Sequence, residues 1–342
     1  MHFITDTIAG ASPEVLEALA KANEGLALSY GGDGISKRLE ARFQDLFQCD
    51  CRVLLTTTGT AANALSLSVL TPAYGTVLCH EGAHAIWDEC AAPEFFTGGA
   101  KLMALKGANG KITPEALDDW LAQPSRGYHQ SPDRVLSLTQ ATEVGTVYGR
   151  SEIAALAERA KAAGLRVHMD GARFANALVS LGLQAAEITW KAGIDVLSFG
   201  ATKNGCMAAE AVVLFDTSLF DEVAYRRKRA GHLPPKMRFI AAQMEAYLEG
   251  GLWLANARRA NRAAKRLALG LDGLDGVEIA QPVQANGVFA SLPPPIAEAV
   301  RAAGYDFYPW PTEGYADTVR MICSYATPDE VIDDFIAIAR AA

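Results

Sequence analysis

The chain has 342 residues, 50% of them hydrophobic and 20% charged, with a formal net charge of −8 and a pI near 5.3. That length suggests about two domains with a sizeable apolar core, and the acidic balance argues against nucleic acid or an anionic membrane as the main partner. No apolar run reaches the ~18 residues of a membrane span, and the start MHFITDTIAGASPEVLEAL shows no secretory pattern of basic region, apolar stretch and cleavage site.

Residues 12–23 open a helix with Ser12-Pro13 and apolar positions three and four apart. The turn Ser29-Tyr30-Gly31-Gly32-Asp33 leads into a second helix from about Ser36. Residues 52–57 read as a strand that breaks at Thr58-Gly59-Thr60 into a helix. Free backbone N–H groups at such a start, with hydroxyls alongside, suit a phosphate dianion; an ordinary Thr-capped helix explains the same residues. No P-loop pattern is present. A strand at 76–80 follows, then a helix and its exit in IWDECAAPEFF, a strand at 134–142 and a helix at 151–164. The next strand, 165–170, ends on Asp170, which reads either as a ligand-facing carboxylate or as the cap of the helix that follows. An apolar strand, DVLSFGA, then stops just before Lys203, and another spans 209–216. Lys203 is either a surface lysine or an amine desolvated enough to act as a nucleophile.

Strands alternating with helices imply an α/β architecture with a mostly parallel sheet covered on both faces. Past about Phe220 a long helical, Arg-rich stretch (221–271) leads to strand-like VEIA, GVFASL and TVRMICSY and a final helix. We divide the chain into a large domain, 1–245, and a small C-terminal α+β domain, 246–342. The six cysteines are mostly isolated, and the C-D-C of Cys49 and Cys51 lies outside zinc and thioredoxin spacings, which fits reduced thiols in the cytoplasm.

A phosphate-type turn, a strand-end aspartate and a strand-end lysine, in that order, suit pyridoxal 5′-phosphate: phosphate to the turn, ring nitrogen to Asp170, aldehyde to Lys203. The chain also resembles the L-threonine aldolases of the β-eliminating lyase group, which have the fold-type-I architecture of the aspartate aminotransferases. The resemblance runs through D-T-I-A-G-A-S-P (6–13), S-Y-G-G-D (29–33), T-G-T-A-A-N (58–63), E-G-A-H (81–84), L-T-Q-A-T-E-V-G-T-V-Y (138–148), H-M-D-G-A-R (168–173) and S-F-G-A-T-K-N-G (198–205).

That resemblance implies a pyridoxal-phosphate aldolase cleaving L-threonine, L-allo-threonine or another β-hydroxy-α-amino acid to glycine and an aldehyde. A β-eliminating lyase and a phenylserine-type aldolase are the alternatives within the fold. It assigns Lys203 to the cofactor aldehyde, Asp170 to the ring nitrogen, Thr58, Gly59 and Thr60 to the phosphate, and His84 to the ring face. Arg173 would contact cofactor or substrate, and Arg320 would fork the substrate carboxylate. Thr5 and Asp6 would touch the amino acid. It further implies a homodimer or homotetramer, with Tyr30 reaching across the interface and Lys228 and Arg238 meeting the neighbour's cofactor phosphate. Relatives with E-N-T-H-N carry a second catalytic histidine where this chain has Gln140-Ala141-Thr142-Glu143-Val144. The base is therefore open among His84, His129, from the loop SRGYHQSPD, and an ordered water.

His80-Glu81-Gly82-Ala83-His84 spells H-E-x-x-H, which makes a zinc hydrolase a rival reading. Zinc chemistry needs both histidines on one helix face, whereas His80 closes a strand and Gly82 disfavours a helix by about 1 kcal/mol relative to Ala. His168 reads as a satisfied strand residue, and Trp87 and Trp253 as core or interface.

Overall fold

The computed structural model describes residues 3–342. Its larger sheet has seven strands in the order β1-β7-β6-β5-β4-β2-β3. They are β1 Arg52–Thr56, β2 Thr76–His80, β3 Lys101–Leu105, β4 Asp133–Thr139, β5 Arg166–Gly171, β6 Val196–Gly200 and β7 Glu210–Leu214. Strand β7 runs antiparallel to β1 and β6, and the other six strands share one direction. Six carboxyl ends therefore open onto one edge, where α/β sheets place ligands.

Both faces of this sheet are covered, which is why its central strands read as near-continuous apolar runs. Side chains of β6 alternate across the sheet. Leu197 and Phe199 enter a core with Phe43, Phe47, Phe174 and Trp253, while Val196 packs on the opposite face with Leu65, Val77 and Val212. Phe43 meets Phe199 edge-on at 5.3 Å between ring centroids, an arrangement aromatic quadrupoles favour. Helix starts follow their residues: Pro13 opens Pro13–Ala22, the Asp33 carboxylate accepts from Ser36 N at 2.8 Å, and the Thr58 hydroxyl accepts from Ala61 N at 3.1 Å.

The smaller sheet is antiparallel, in the order β10-β11-β9-β8, with β8 Glu278–Ile279, β9 Gly287–Ser291, β10 Tyr308–Pro309 and β11 Thr318–Ile322. Helices Leu252–Leu271, Pro294–Ala302 and Asp329–Ala341 contribute to its core, which Phe3 also enters. Helix Leu252–Leu271 serves both cores, giving Trp253 and Ala257 to the larger and Ala263, Ala264 and Leu267 to the smaller.

The structure refines three readings of the sequence. The helical stretch 221–271 is three helices, Phe220–Arg229, Arg238–Leu248 and Leu252–Leu271. They are separated by a segment holding Pro234-Pro235, which cannot continue a helix, and by Gly250-Gly251, both at positive φ. The strand at 134–142 ends at Thr139, and residues 140–146 form a turn instead. Strand β3, unrecognised in sequence, is an edge strand with only Leu105 buried, so KLMAL has no inward-outward alternation to detect.

Candidate active site

Lys203 leaves the end of β6 on the short turn Thr202–Asn204. The strand must stop at glycine: a Cβ on Gly200 would lie 2.5 Å from the Ala172 carbonyl oxygen. The turn is anchored from below, since Asn204 Nδ2 donates to Tyr247 Oη at 2.7 Å and to the Trp253 carbonyl at 2.8 Å. Gly205 follows at φ +120°, a conformation that favours glycine. Lys203 itself is half-buried, and no hydrogen bond or ion pair among the described residues occupies its Nζ. Beside it, buried Glu210 accepts from the N–H groups of Ala201 at 3.2 Å and Thr202 at 3.4 Å. Burial pushes the Glu210 carboxyl up to about 7, opposed by those hydrogen bonds and the Lys203 charge.

Asp170 is the penultimate residue of β5 and is 5% exposed. Its Oδ1 accepts from Ala172 N at 3.0 Å and its Oδ2 from Asn63 Nδ2 at 2.9 Å. The carboxylate does not cap helix Phe174–Leu181, whose N-cap is Arg173. Asn63 lies one turn into helix Gly59–Leu70, so the same residue that steadies Asp170 ties it to the Thr58-Gly59-Thr60 turn. A Cβ on Gly59 would meet nothing within 4 Å, leaving open space over the helix N-terminus.

Asn63 Nδ2 also donates to Glu89 Oε1 at 2.8 Å, and the same oxygen meets His84 Nδ1 at 2.9 Å. A hydrogen-bonded chain, His84–Glu89–Asn63–Asp170, results, buried except at His84. Its hydrogen bond to Glu89 raises the pKa of His84 above the ordinary histidine value, outweighing burial. Burial raises the Glu89 carboxyl above its ordinary value as well, opposed by the hydrogen bond with His84.

Asp6 and Arg173 form a buried bidentate pair, Nε–Oδ2 at 2.8 Å and Nη2–Oδ1 at 3.2 Å, with Asn286 Nδ2 donating to Asp6 at 3.0 Å. Burial works to raise the Asp6 pKa, but the charges of Arg173 and Lys203 overcome it and hold it below the ordinary value. Arg320, from β11, donates to the Ile4 carbonyl at 3.1 Å, while its buried Nε has no partner. Burial, then the charge of Arg173, lowers its pKa. No carboxylate forms an ion pair with Arg320 among the described residues, which leaves a desolvated fork suited to an incoming one.

Not every residue implied by the sequence joins this cluster. Thr5 touches it only through Asp6, its hydroxyl donating to Asp6 Oδ1 at 3.4 Å while accepting from Thr7 N to cap the short turn Asp6–Ile8. Tyr30 and Lys228 pair with each other, Nζ lying 4.8 Å from the ring centroid, and Tyr30 lines a separate cavity of about 330 Å³ with Arg227 and Phe220. Arg238 begins helix Arg238–Leu248 with a buried, unpartnered Nε. His129 is exposed in the loop entering β4, at the amino edge of the sheet. As a base for this chain's own site it is corrected by the geometry: the length of a strand separates it from Asp170. His80 and His84 are not a turn apart on one helix; His80 closes β2, its Nε2 2.9 Å from the Gly107 carbonyl. His168 is buried between Ser137 and Ser198, at 2.8 and 2.9 Å. Trp253 is core and Trp87 is 72% exposed.

Two carboxylates at this edge escaped the sequence reading. Glu89 sits in Asp88-Glu89-Cys90 and reads as one of two surface acids; its five-residue offset from His84 was the only signal. Glu210 reads as the polar start of an apolar strand.

The β-eliminating lyase family matches residues 2–293. A low specificity L-threonine aldolase of Pseudomonas sp. (strain NCIMB 10558) is 43% identical over 340 residues, covering 99% of this chain and 97% of the relative. One from Pseudomonas aeruginosa is 45% identical, covering 96% and 94%. The structure of a Leishmania major threonine aldolase superposes with a TM-score of 0.93 at 25% identity, over 99% of this chain and 98% of that one.

Proposed function

The chain belongs to the β-eliminating lyase family, and on that premise we propose that it is a pyridoxal-phosphate-dependent aldolase. It cleaves L-threonine, L-allo-threonine and related β-hydroxy-α-amino acids to glycine and an aldehyde. The observation that carries this reading is the convergence of an unpaired Lys203, a buried Asp170 and a carboxylate-held His84 on one sheet edge. The relatives named threonine aldolase support the substrate class.

The residues present fit the cofactor. Gly59 and Thr60 offer free N–H groups at a helix start for the phosphate, with the Thr58 hydroxyl beside them. Asp170 offers a carboxylate whose position two donors fix, and Lys203 an amine with no competing partner. When bound, the cofactor supplies an aldehyde for Lys203 and a protonated ring that draws electrons from the substrate Cα.

The chain's own residues do the rest. Asp170, its carboxylate held by the Asn63 amide and the Ala172 N–H, would keep a proton on the ring nitrogen. His84, tethered through Nδ1 to Glu89, would lie against the cofactor ring. Arg320 would fork the substrate carboxylate, while Arg173 is held by Asp6. Fixing carboxylate and amine together orients the Cα–Cβ bond for cleavage. Tyr30, Lys228 and Arg238 are proposed to meet a second copy in a homodimer or homotetramer. Exposed Trp87, Phe95 and Tyr225 support such an assembly. No helix among the described residues is long and apolar enough to cross a membrane; the cytoplasm is our proposed location, supported by six unbridged cysteines.

The test is the absorbance of the purified protein with pyridoxal phosphate, followed by product analysis with both threonine diastereomers. Glycine and acetaldehyde are expected from a coloured protein; a colourless one, or pyruvate with ammonia, overturns the reading.

A further inference from the structure

The motif at 138–148 is rigid for reasons that account for all but one of its polar side chains beyond the strand. Gln140 clamps the far end: its Nε2 donates to the Tyr148 carbonyl at 2.8 Å, and its Oε1 accepts from Tyr148 N at 3.0 Å. Gln140 N donates to the Asp170 carbonyl at 2.8 Å, which fastens the turn to the strand end that carries the ring-binding aspartate. Thr142 and Thr146 close the loop by backbone bonds and by a hydroxyl pair at 2.8 Å, and Thr146 Oγ1 reaches the Asn109 carbonyl at 2.6 Å. Gly145 takes φ +78°. Tyr148 Oη accepts from Ile112 N at 2.6 Å. Glu143 is left over. It is half-buried at the tip of this turn, and no hydrogen bond or ion pair among the described residues engages its carboxylate. Its charge acts on His84, Arg173 and Arg320 alike, so it stands on the side of the turn that faces the site.

Other candidates for taking a proton there are committed elsewhere. His84 is engaged through Nδ1 with Glu89 Oε1 at 2.9 Å. His168 is 1% exposed with both ring nitrogens engaged by serines, and His129 lies at the opposite sheet edge. We propose that Glu143 accepts the proton of the substrate β-hydroxyl as the Cα–Cβ bond breaks, a role that rests on the aldolase reading above. The O–H bond breaks with its proton passing to a Glu143 oxygen, and the C–O bond becomes the carbonyl of the departing aldehyde. The Cα–Cβ electron pair stays with Cα, which then takes up one proton. Substrate and products balance with no oxidant or reductant.

The test compares holoenzyme with Glu143→Gln and Glu143→Asp in two reactions. Cleavage of threonine needs a base at the β-hydroxyl; exchange of the glycine α-hydrogen for deuterium does not, because glycine has none. Glu143→Gln is expected to lose cleavage by about 10²–10⁴-fold while keeping glycine exchange, cofactor absorbance and melting temperature, with Glu143→Asp recovering part of the loss. Cleavage by Glu143→Gln at the wild-type rate overturns the proposal. So does a parallel loss of cleavage and exchange, which marks a structural role. A wild-type enzyme that exchanges glycine yet cleaves neither diastereomer removes the aldolase reading itself, and this role with it.

Discussion

The two edges of the large sheet are alike in outline and opposite in chemistry. At the amino edge, a cavity of about 560 Å³ is lined by Lys101, Trp120, His129 and Asp133. At the carboxyl edge lie Lys203, Asp170, His84, Arg173 and Arg320. Both contain a histidine, a lysine and an aspartate. At the amino edge His129 is exposed, and Asp133 is occupied by the Trp120 indole N–H at 3.0 Å. At the carboxyl edge Asp6, Glu89, Asp170 and Glu210 are nearly sealed from solvent and hydrogen-bonded, and the cations Lys203 and Arg320 are left with donors to spare. A concave surface with titratable groups is thus not enough. What distinguishes a reactive edge is charge held in place out of water, where each interaction is stronger and costs no reorganisation.

That contrast can be broken at four points. Lys203→Ala should eliminate the cofactor's visible absorbance and cut turnover on the order of 10⁴-fold, since it removes both the attachment point and a proton-transferring amine. A variant that keeps its colour and its rate would place the chemistry elsewhere. Asp6→Asn should cost about 3–5 kcal/mol in urea denaturation, because it strands the buried Arg173 guanidinium. The pH sign follows from the lowered Asp6 value. Asp6 contributes stability above its ordinary carboxylate range, and the contribution disappears as pH falls through the depressed folded value. Wild-type and Asp6→Asn stabilities should therefore converge in acid; curves that stay parallel would show that the pair carries no linkage.

Arg320→Ala should weaken amino-acid binding by about 2–4 kcal/mol, read as a higher KM with the cofactor spectrum retained. An unchanged KM would remove Arg320 as the carboxylate fork. The smallest effect belongs to the amino edge. His129→Ala should alter stability by less than about 0.5 kcal/mol and leave kcat/KM as it was. A large loss of activity there would mean that another copy of the chain carries His129 into the site.

How much of this was legible depends on which physical signal each residue leaves. Lys203 and Asp170 stand where buried apolar runs stop, a one-dimensional pattern that reports a three-dimensional position. The Thr58-Gly59-Thr60 turn announces a helix start in the same way. Glu89 leaves no such mark: an acid among small and polar residues looks solvated until Asn63, from a distant helix, and His84 close over it. Glu143 was visible as a departure from a related pattern, but its freedom from partners emerges only once Gln140, Thr142 and Thr146 are seen holding the turn around it.

By itself the sequence determined the α/β layering, the strand ends that carry Asp170 and Lys203, and the order in which the candidate cofactor-binding residues occur, because these follow from hydrophobic period and local capping. Only the tertiary structure decided which histidine faces the site, which arginine is spent on Asp6 and which is left open, and which acids are buried. Those outcomes depend on desolvation and on contacts between residues as far apart as Asp6 and Arg173 or Asn63 and Asp170, and no local pattern encodes either.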